Sequence, residues 1–319
     1  MACYCCEGQT YKFGSYRGSQ RYRCKRCGKT YSDIPQGPLA PLRVKSEDVY
    51  RVVELLAEGV GIRAIERLTG LNRRTVLRIL EVAGRQCSLV LDANVREVKA
   101  EQVQVDELWA FVYCKQANCG LYAYDHGDQY TFLAIERSSK LIISHLVGKR
   151  THENAIYFMQ DLKERTEGRF QLTTDGFSGY TGQYGSIGAV RRVFKKQIDY
   201  GTEIKRYAIE VEGERRYSTP EVIGIRRASR IGKPDKRMIC TSHAERTNLS
   251  VRIFNRRFTR LTLGYSKKLE NHRLAVAIFV AHLNFCRKHS ARGQTPAQAS
   301  GLTDHQWTVE ELLTAPAAG

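Results

Sequence analysis

Val103-Gln104-Val105-Asp106-Glu107-Leu108-Trp109 is the stretch on which the reading of this chain turns. β-Branched residues at 103 and 105, followed by Leu108, Trp109, Phe111 and Val112, start a β-strand. Asp and Glu are poor strand formers, so an acidic pair inside such a run opposes the local preference. Carboxylates in a core strand need a charge partner, and a divalent metal is a common one. The alternative is a half-exposed strand whose acids face solvent. Strand alternation also separates the pair: with Asp106 toward a metal, Glu107 points to the opposite face, so the expectation rests on Asp106 alone.

Composition bears on the choice. The chain has 319 residues and a formal net charge of +18, with a pI near 9.6, which is unusual for a small-molecule enzyme and points to a polyanionic partner. The charge is uneven. Lys and Arg number 18 against 10 acids in residues 1–100, 8 against 11 in 101–185 and 19 against 8 in 186–265. Two basic blocks flank one mildly acidic segment, as expected of a metal centre between two surfaces that grip nucleic acid. No apolar run is long enough to span a membrane and the first residues lack an apolar signal core, so the expectation is a soluble cytoplasmic protein, nucleoid-associated when bound to DNA. Ten cysteines in a reducing compartment point to metal binding before disulfides.

Working outward, Cys3-x2-Cys6 and Cys24-x2-Cys27 have the spacing of a four-cysteine Zn²⁺ ribbon over residues 1–35, with Cys5 an extra thiol that could compete. Ile34–Pro41 holds three of the seven prolines, and residues 36–45 read as a linker. Residues 46–86 read as three short helices with breaks at Gly59, Gly61 and Gly70, a helix-turn-helix whose third helix presents Arg73, Arg74 and Arg78 to a major groove. An ordinary three-helix packing unit with a solvated basic face is the alternative. Residues 87–100 read as a second connector.

Beyond it, strands at Gln102–Cys114, Tyr130–Glu136 and Leu141–Val147, a helix capped by Thr151, and a strand at 170–174 give the opening order of a ribonuclease-H-like fold, in a mixed α+β catalytic domain over 101–289. Asp175 closes the last strand, where it is either an Asp-Gly turn or a second metal ligand. Residues 186–240 read as a basic β-rich insertion. Glu245 stands three residues after Ser242, so a capping box explains it as well as a third metal carboxylate does. Arg252 lies two turns further along the same helix face, and Arg256 and Arg257 extend that basic side. The segment 290–319 is a C-terminal extension.

VDELW, YAYD, TTDGFSGY, SHAERTNLSVR, SKKLENH and NFCRKHSARGQTPAQASGL resemble bacterial transposases of the insertion sequence 1 type, and the cysteine pairs and helix-turn-helix extend the resemblance over nearly the whole chain. The resemblance implies a DDE triad of Asp106, Asp175 and Glu245 holding two Mg²⁺ ions, with Mn²⁺ able to substitute. It also implies phosphate contact by Arg252 and action on double-stranded transposon ends and target DNA by a homodimer or higher oligomer. The long stretch between Asp175 and Glu245 departs from the compact form of the family. Glu203, Glu210 and Glu221 in the insertion are alternatives for the third carboxylate. A resolvase-type nuclease of the same fold and a non-catalytic DNA-binding repressor are the competing functions.

Overall fold

The computed structural model describes residues 3, 5–16, 19–32, 37–40, 42–120, 124–183, 185–208, 222–259 and 262–316. Its first unit is a three-stranded antiparallel sheet of β1 (Thr10–Tyr16), β2 (Ser19–Cys24) and β3 (Thr30–Ser32). Three helices follow: α1 (Ser46–Ala57), α2 (Ile62–Thr69) and α3 (Arg73–Asn94). The turn between α2 and α3 rests on Gly70, whose φ of 72° closes α2, and on Asn72, whose side chain accepts the Arg74 N–H at 2.9 Å.

A six-stranded sheet carries the rest: β5 (Gln102–Val112), β6 (Gly127–Glu136), β7 (Ile142–Gly148), β9 (Gln171–Thr174), β10 (Asp199–Tyr207) and β11 (Val222–Ile231). The order across it is β11-β10-β9-β5-β6-β7. β5, β6 and β7 form an antiparallel meander, β9 lies parallel to both β5 and β10, and β11 returns antiparallel on β10. A small parallel pair, β4 (Val98–Lys99) with β8 (Thr166–Glu167), sits beside it. Helices α4 (His152–Arg165), α5 (Ser178–Thr181) and α6 (Ala189–Phe194) pack together on one face. On the other lies α7 (Ser242–Phe254), followed by the buried α8 (Leu269–Ala281) and the short α9 (Pro296–Ala299) and α10 (Val309–Thr314).

Three sequence expectations need correction. Residues 87–100 are not a connector in their first half: α3 runs on to Asn94, with Cys87 and Val90 fully buried. Its end is held by Arg165 of α4, which donates to the Leu91 and Val95 carbonyls at 3.0 and 3.3 Å and pairs with Asp161 and Asp92. The 36–45 linker likewise buries Leu39 and Leu42. The insertion is smaller than 186–240, because α6 and the first half of β10 belong to the core: Val190, Phe194, Ile198 and Tyr200 are buried, and Asp199–Thr202 pair with Gln171–Thr174. Their apolar pattern is masked in the sequence by the intervening RR and KK pairs. What remains of the insertion is the hairpin of β10 and β11, whose outer half is exposed; the run Glu203–Val211 is described only to Ala208, and most of the run from Tyr217 to Ile225 falls outside the described residues.

The three N-terminal helices are joined to α7 and α8 by close backbone approach. Gly84 in α3 lies where an added Cβ would fall 2.6 Å from Leu274 Cβ and 2.9 Å from its carbonyl oxygen in α8. Gly59, at φ 75°, meets the Ile253 carbonyl at the end of α7 at 2.6 Å in the same construction. Gly84→Ala should therefore separate α3 from α8 and cost about 2 kcal/mol, an overpacking penalty, whereas Gly120→Ala has open space and should be near neutral. Urea unfolding of the two variants against the parent checks this; equal midpoints for Gly84→Ala and the parent would refute the packing account.

Candidate acidic centre and cysteine cluster

The acidic centre begins with the alternation of β5. Gln104 and Asp106 face α7. The Gln104 side-chain oxygen accepts the His243 and Ala244 N–H groups at 2.8 and 3.2 Å, and Asp106 accepts Asn248 Nδ2 at 2.7 Å. Two strand residues advance about 7 Å and four helical residues about 6 Å, so α7 runs alongside β5 in register. Glu107 points through the sheet to the other face, where its side chain is 3% exposed. There Arg150 spans Glu107 and Asp175 at 2.9 and 3.1 Å while lying over the Phe177 ring at 4.1 Å. Asp175 follows the end of β9, and its Oδ1 accepts the Phe177 N–H at 2.9 Å, so it is an Asp-turn residue as well.

Glu245 lies in the first turn of α7. The capping box from Ser242 does not form: Thr241 precedes the helix without a side-chain cap, and its hydroxyl donates to Glu245 Oε1 at 2.8 Å. Lys205 of β10 is ion-paired to Glu245. Glu203 is committed elsewhere, buried against Arg227 at 2.9 Å and accepting the Thr241 N–H at 3.2 Å. Glu210 and Glu221 lie outside the described residues. Burial pushes the Asp106 carboxyl up to about 7, and the charges of Asp175 and Glu245 add to the rise. Glu107 is pushed up to about 7 by burial and by Asp175.

Asp175 and Glu245 thus act on Asp106, but each of the three acids holds its own partner: Asn248 for Asp106, Arg150 for Asp175 and Lys205 for Glu245. Among the described residues the one group of three or more metal-ligating side chains within reach of a single ion is the cysteine quartet. Cys3, Cys6, Cys24 and Cys27 place their sulfurs within 4.8 Å of one another, with Cys3–Cys27 at 3.6 Å and Cys6–Cys24 at 3.5 Å. Tetrahedral Zn²⁺ thiolate geometry asks for about 3.8 Å, so the quartet fits zinc. N–H groups of Cys27 and Arg26 aimed at Cys24 pull its thiol down to about 6. Gly8 leaves the space this needs, since a Cβ there would stand 3.1 Å from Cys24 Sγ and 3.3 Å from Cys6 Sγ. Cys5 stays outside, accepting Lys29 Nζ at 3.0 Å.

The expected DNA-contact residues divide. Arg73, Arg74 and Arg78 are exposed on α3, Arg78 pairing with Glu81 at 3.1 Å. α7 ends at Phe254, so Arg256 and Arg257 sit on a turn and not on its face. Arg256 is exposed, but Arg257 is turned inward, donating to Ser266 Oγ at 2.8 Å and lowered by burial to about 10. This corrects the expectation that Arg257 extends the basic side of the helix as a DNA contact. Arg252 reaches the Phe258 carbonyl at 3.5 Å. Glu107, Arg150 and Lys205 were missed as participants. Glu107 was legible as the neighbour of Asp106, but neither basic residue has a local signal, since each comes from an element distant in sequence.

No protein-family model matches the chain. Among solved structures it is similar to a piggyBac transposase in a synaptic complex with hairpin DNA, at 10% identity and a TM-score of 0.38 over 88% of this chain and 72% of that one. No helix among the described residues is long and apolar enough to cross a membrane.

The chain should bind one zinc ion through the quartet. Metal released by a thiol-reactive mercurial and read with a colorimetric chelator should fall to zero in Cys24→Ser and stay at one per chain in Cys5→Ser; loss in Cys5→Ser would reassign the ligands. The acidic centre gives a pH dependence. A carboxyl raised from 3.8 to about 7 on folding makes the folded state bind the extra proton, so metal-free stability falls as pH rises between those values. Asp106→Asn should therefore be more stable than the parent at pH 8, by on the order of 2 kcal/mol, with the gap closing toward pH 4. Thermal melting across that range with a chelator present checks the sign.

Proposed function

We infer that the protein is a DNA transposase of the DDE type, acting through Asp106, Asp175 and Glu245 on a ribonuclease-H-like sheet. The observation that carries this is the placement of Asp106: a buried carboxylate on a central strand beside α7, raised above the ordinary range first by burial and then by Asp175 and Glu245. Such a locus asks for positive charge. The strand order, an antiparallel meander whose first strand is parallel to the fourth, which is parallel to the fifth, supports the fold assignment. Asp106 is buried while Asp175 and Glu245 are partly exposed, and the three oxygens are not gathered within reach of one ion; as carboxylates they are donors of the kind that hard cations such as Mg²⁺ or Mn²⁺ prefer. When bound, two such ions would activate the attacking water or 3′-hydroxyl and stabilise the leaving 3′-oxygen.

The protein's own part is then to place and release the carboxylates. Asn248 orients Asp106, and Arg150 and Lys205 hold Asp175 and Glu245 in place; these two cations could turn to substrate phosphate, leaving the carboxylates as the groups that would hold metal. No Tyr or Ser nucleophile is required. In this reading the ribbon and helix-turn-helix bind transposon ends, the sheet domain carries the chemistry, and a dimer or larger assembly brings two ends together. Basic residues around α6 and β11, among them Arg191, Arg192, Lys195 and Arg230, line a cavity of about 1000 Å³ suited to phosphate.

One observation favours a second reading. Lys205 paired to Glu245, and the separation of the three carboxylates, also suit a DNA-binding repressor on an inactive scaffold. Cleavage and strand transfer of labelled end-containing DNA in Mg²⁺ separate the two. The parent should cut and join, and Asp106→Asn, Asp175→Asn and Glu245→Gln should each lose at least about a thousandfold in rate, since each removes a ligand of the reacting centre. Cutting by the parent without joining indicates a resolvase-type nuclease; no metal-dependent cutting indicates the repressor; full activity of Asp106→Asn would overturn the triad.

A further inference from the structure

A cleft of about 1110 Å³ separates the helix-turn-helix from the segment that joins α7 to α8. One wall presents Arg63 and Arg67 of α2 and Arg73 at the start of α3; the other presents Arg256, Lys267 and Lys268. All six are exposed. None of them forms an ion pair with an acid among the described residues. The one acid lining the cleft, Glu81, is already paired with Arg78. Uncompensated cations on two facing walls repel one another, so an arrangement of this kind is stabilised when a polyanion lies between them.

The walls are also fastened. Gly59 meets the Ile253 carbonyl, Gly84 meets Leu274, and Gly61 lies against Arg256, so helix-turn-helix and sheet domain present one continuous surface. The inner face of the second wall is buttressed by Arg257 bonded to Ser266, whose hydroxyl meets His272 Nδ1 at 3.0 Å. The loop bearing Lys267 is pinned to the end of β5 by Tyr113 N–H donating to the Ser266 carbonyl at 2.8 Å. From Glu245 to the end of α7 at Phe254 is about 14 Å along the helix, roughly four base pairs of duplex.

We propose that this cleft is a phosphate-backbone site for duplex DNA, shared between the helix-turn-helix and the sheet domain, lying between the recognition helix and the acidic centre. It rests on the DNA-acting reading above, but not on the triad or on metal. Both walls contact one strand's backbone, Arg63 and Arg67 from one side, Arg256 and Lys268 from the other. The contacts are electrostatic and independent of base sequence.

The test is metal-free fluorescence anisotropy with the full chain and a labelled mixed-sequence duplex of about 30 base pairs, over a salt series. Each of the double variants Arg63→Gln/Arg67→Gln and Arg256→Gln/Lys268→Gln should weaken binding about tenfold or more near 0.1 M salt. Each should also lower the slope of log affinity against log salt by about two, one per lost phosphate contact. Melting temperatures equal to the parent's confirm that the exposed substitutions leave the fold intact. Unchanged slope and affinity in either double variant overturns the shared site, as does competition by polyglutamate equal to that of unlabelled duplex. The assay holds no metal and scores no cleavage. A catalytic failure therefore leaves this result standing, and loss of the cleft leaves the triad untouched.

Discussion

Two adjacent carboxylates in a buried strand cannot share a face, and the centre of the molecule follows from that constraint. Asp106 must be met from one side of β5 and Glu107 from the other. On the first side α7 is laid along the strand by Gln104, which takes two N–H groups at the helix start, so that Asn248 arrives one turn later opposite Asp106. On the second side Arg150, at the entry to α4, neutralises Glu107 and reaches Asp175 in the same span. Both helices are positioned by polar groups of a single strand, and an error of one residue in its register would exchange the two environments.

Charge balance at this centre is local. A buried carboxylate without a partner would cost several kcal/mol or take up a proton. The structure supplies an amide to Asp106, a guanidinium to Asp175 and an ammonium to Glu245. These partners satisfy the acids without drawing them together, and Asp106 stays raised, by burial first and by the neighbouring carboxylates second. Glu203 illustrates the contrast. With Arg227, Lys205 and the Thr241 N–H around it, it is a buried acid whose bonding is complete, which makes it a structural support for the turn that presents Glu245.

The helical part is continuous with the sheet. Arg165 closes the end of α3 from α4, Asn284 bonds both the N–H and the carbonyl of Ile142 at 3.0 and 2.9 Å, and Gly84 lets α3 and α8 approach to backbone distance. α10 then buries Leu312 and Leu313 beside α1 and α3, so the C-terminal segment closes the helical layer.

Much of this was legible in the chain. Periodicity marked the three N-terminal helices, the meander and the buried α8. Paired C-x-x-C spacing marked the quartet, because a thiolate cage needs two tight turns and nothing from afar. Alternation along VQVDELW by itself assigned Asp106 and Glu107 to opposite faces. Other features depended on tertiary structure. Where α3 ends, that β10 is a core strand within a basic run, and that Arg257 faces inward all depend on which surface packs against which, and charge-dense composition hides a buried face. The partners Arg150, Lys205 and Asn248 come from three separate elements. Folding alone brings them to the acids, since electrostatic pairing acts through space and leaves no periodicity along the chain.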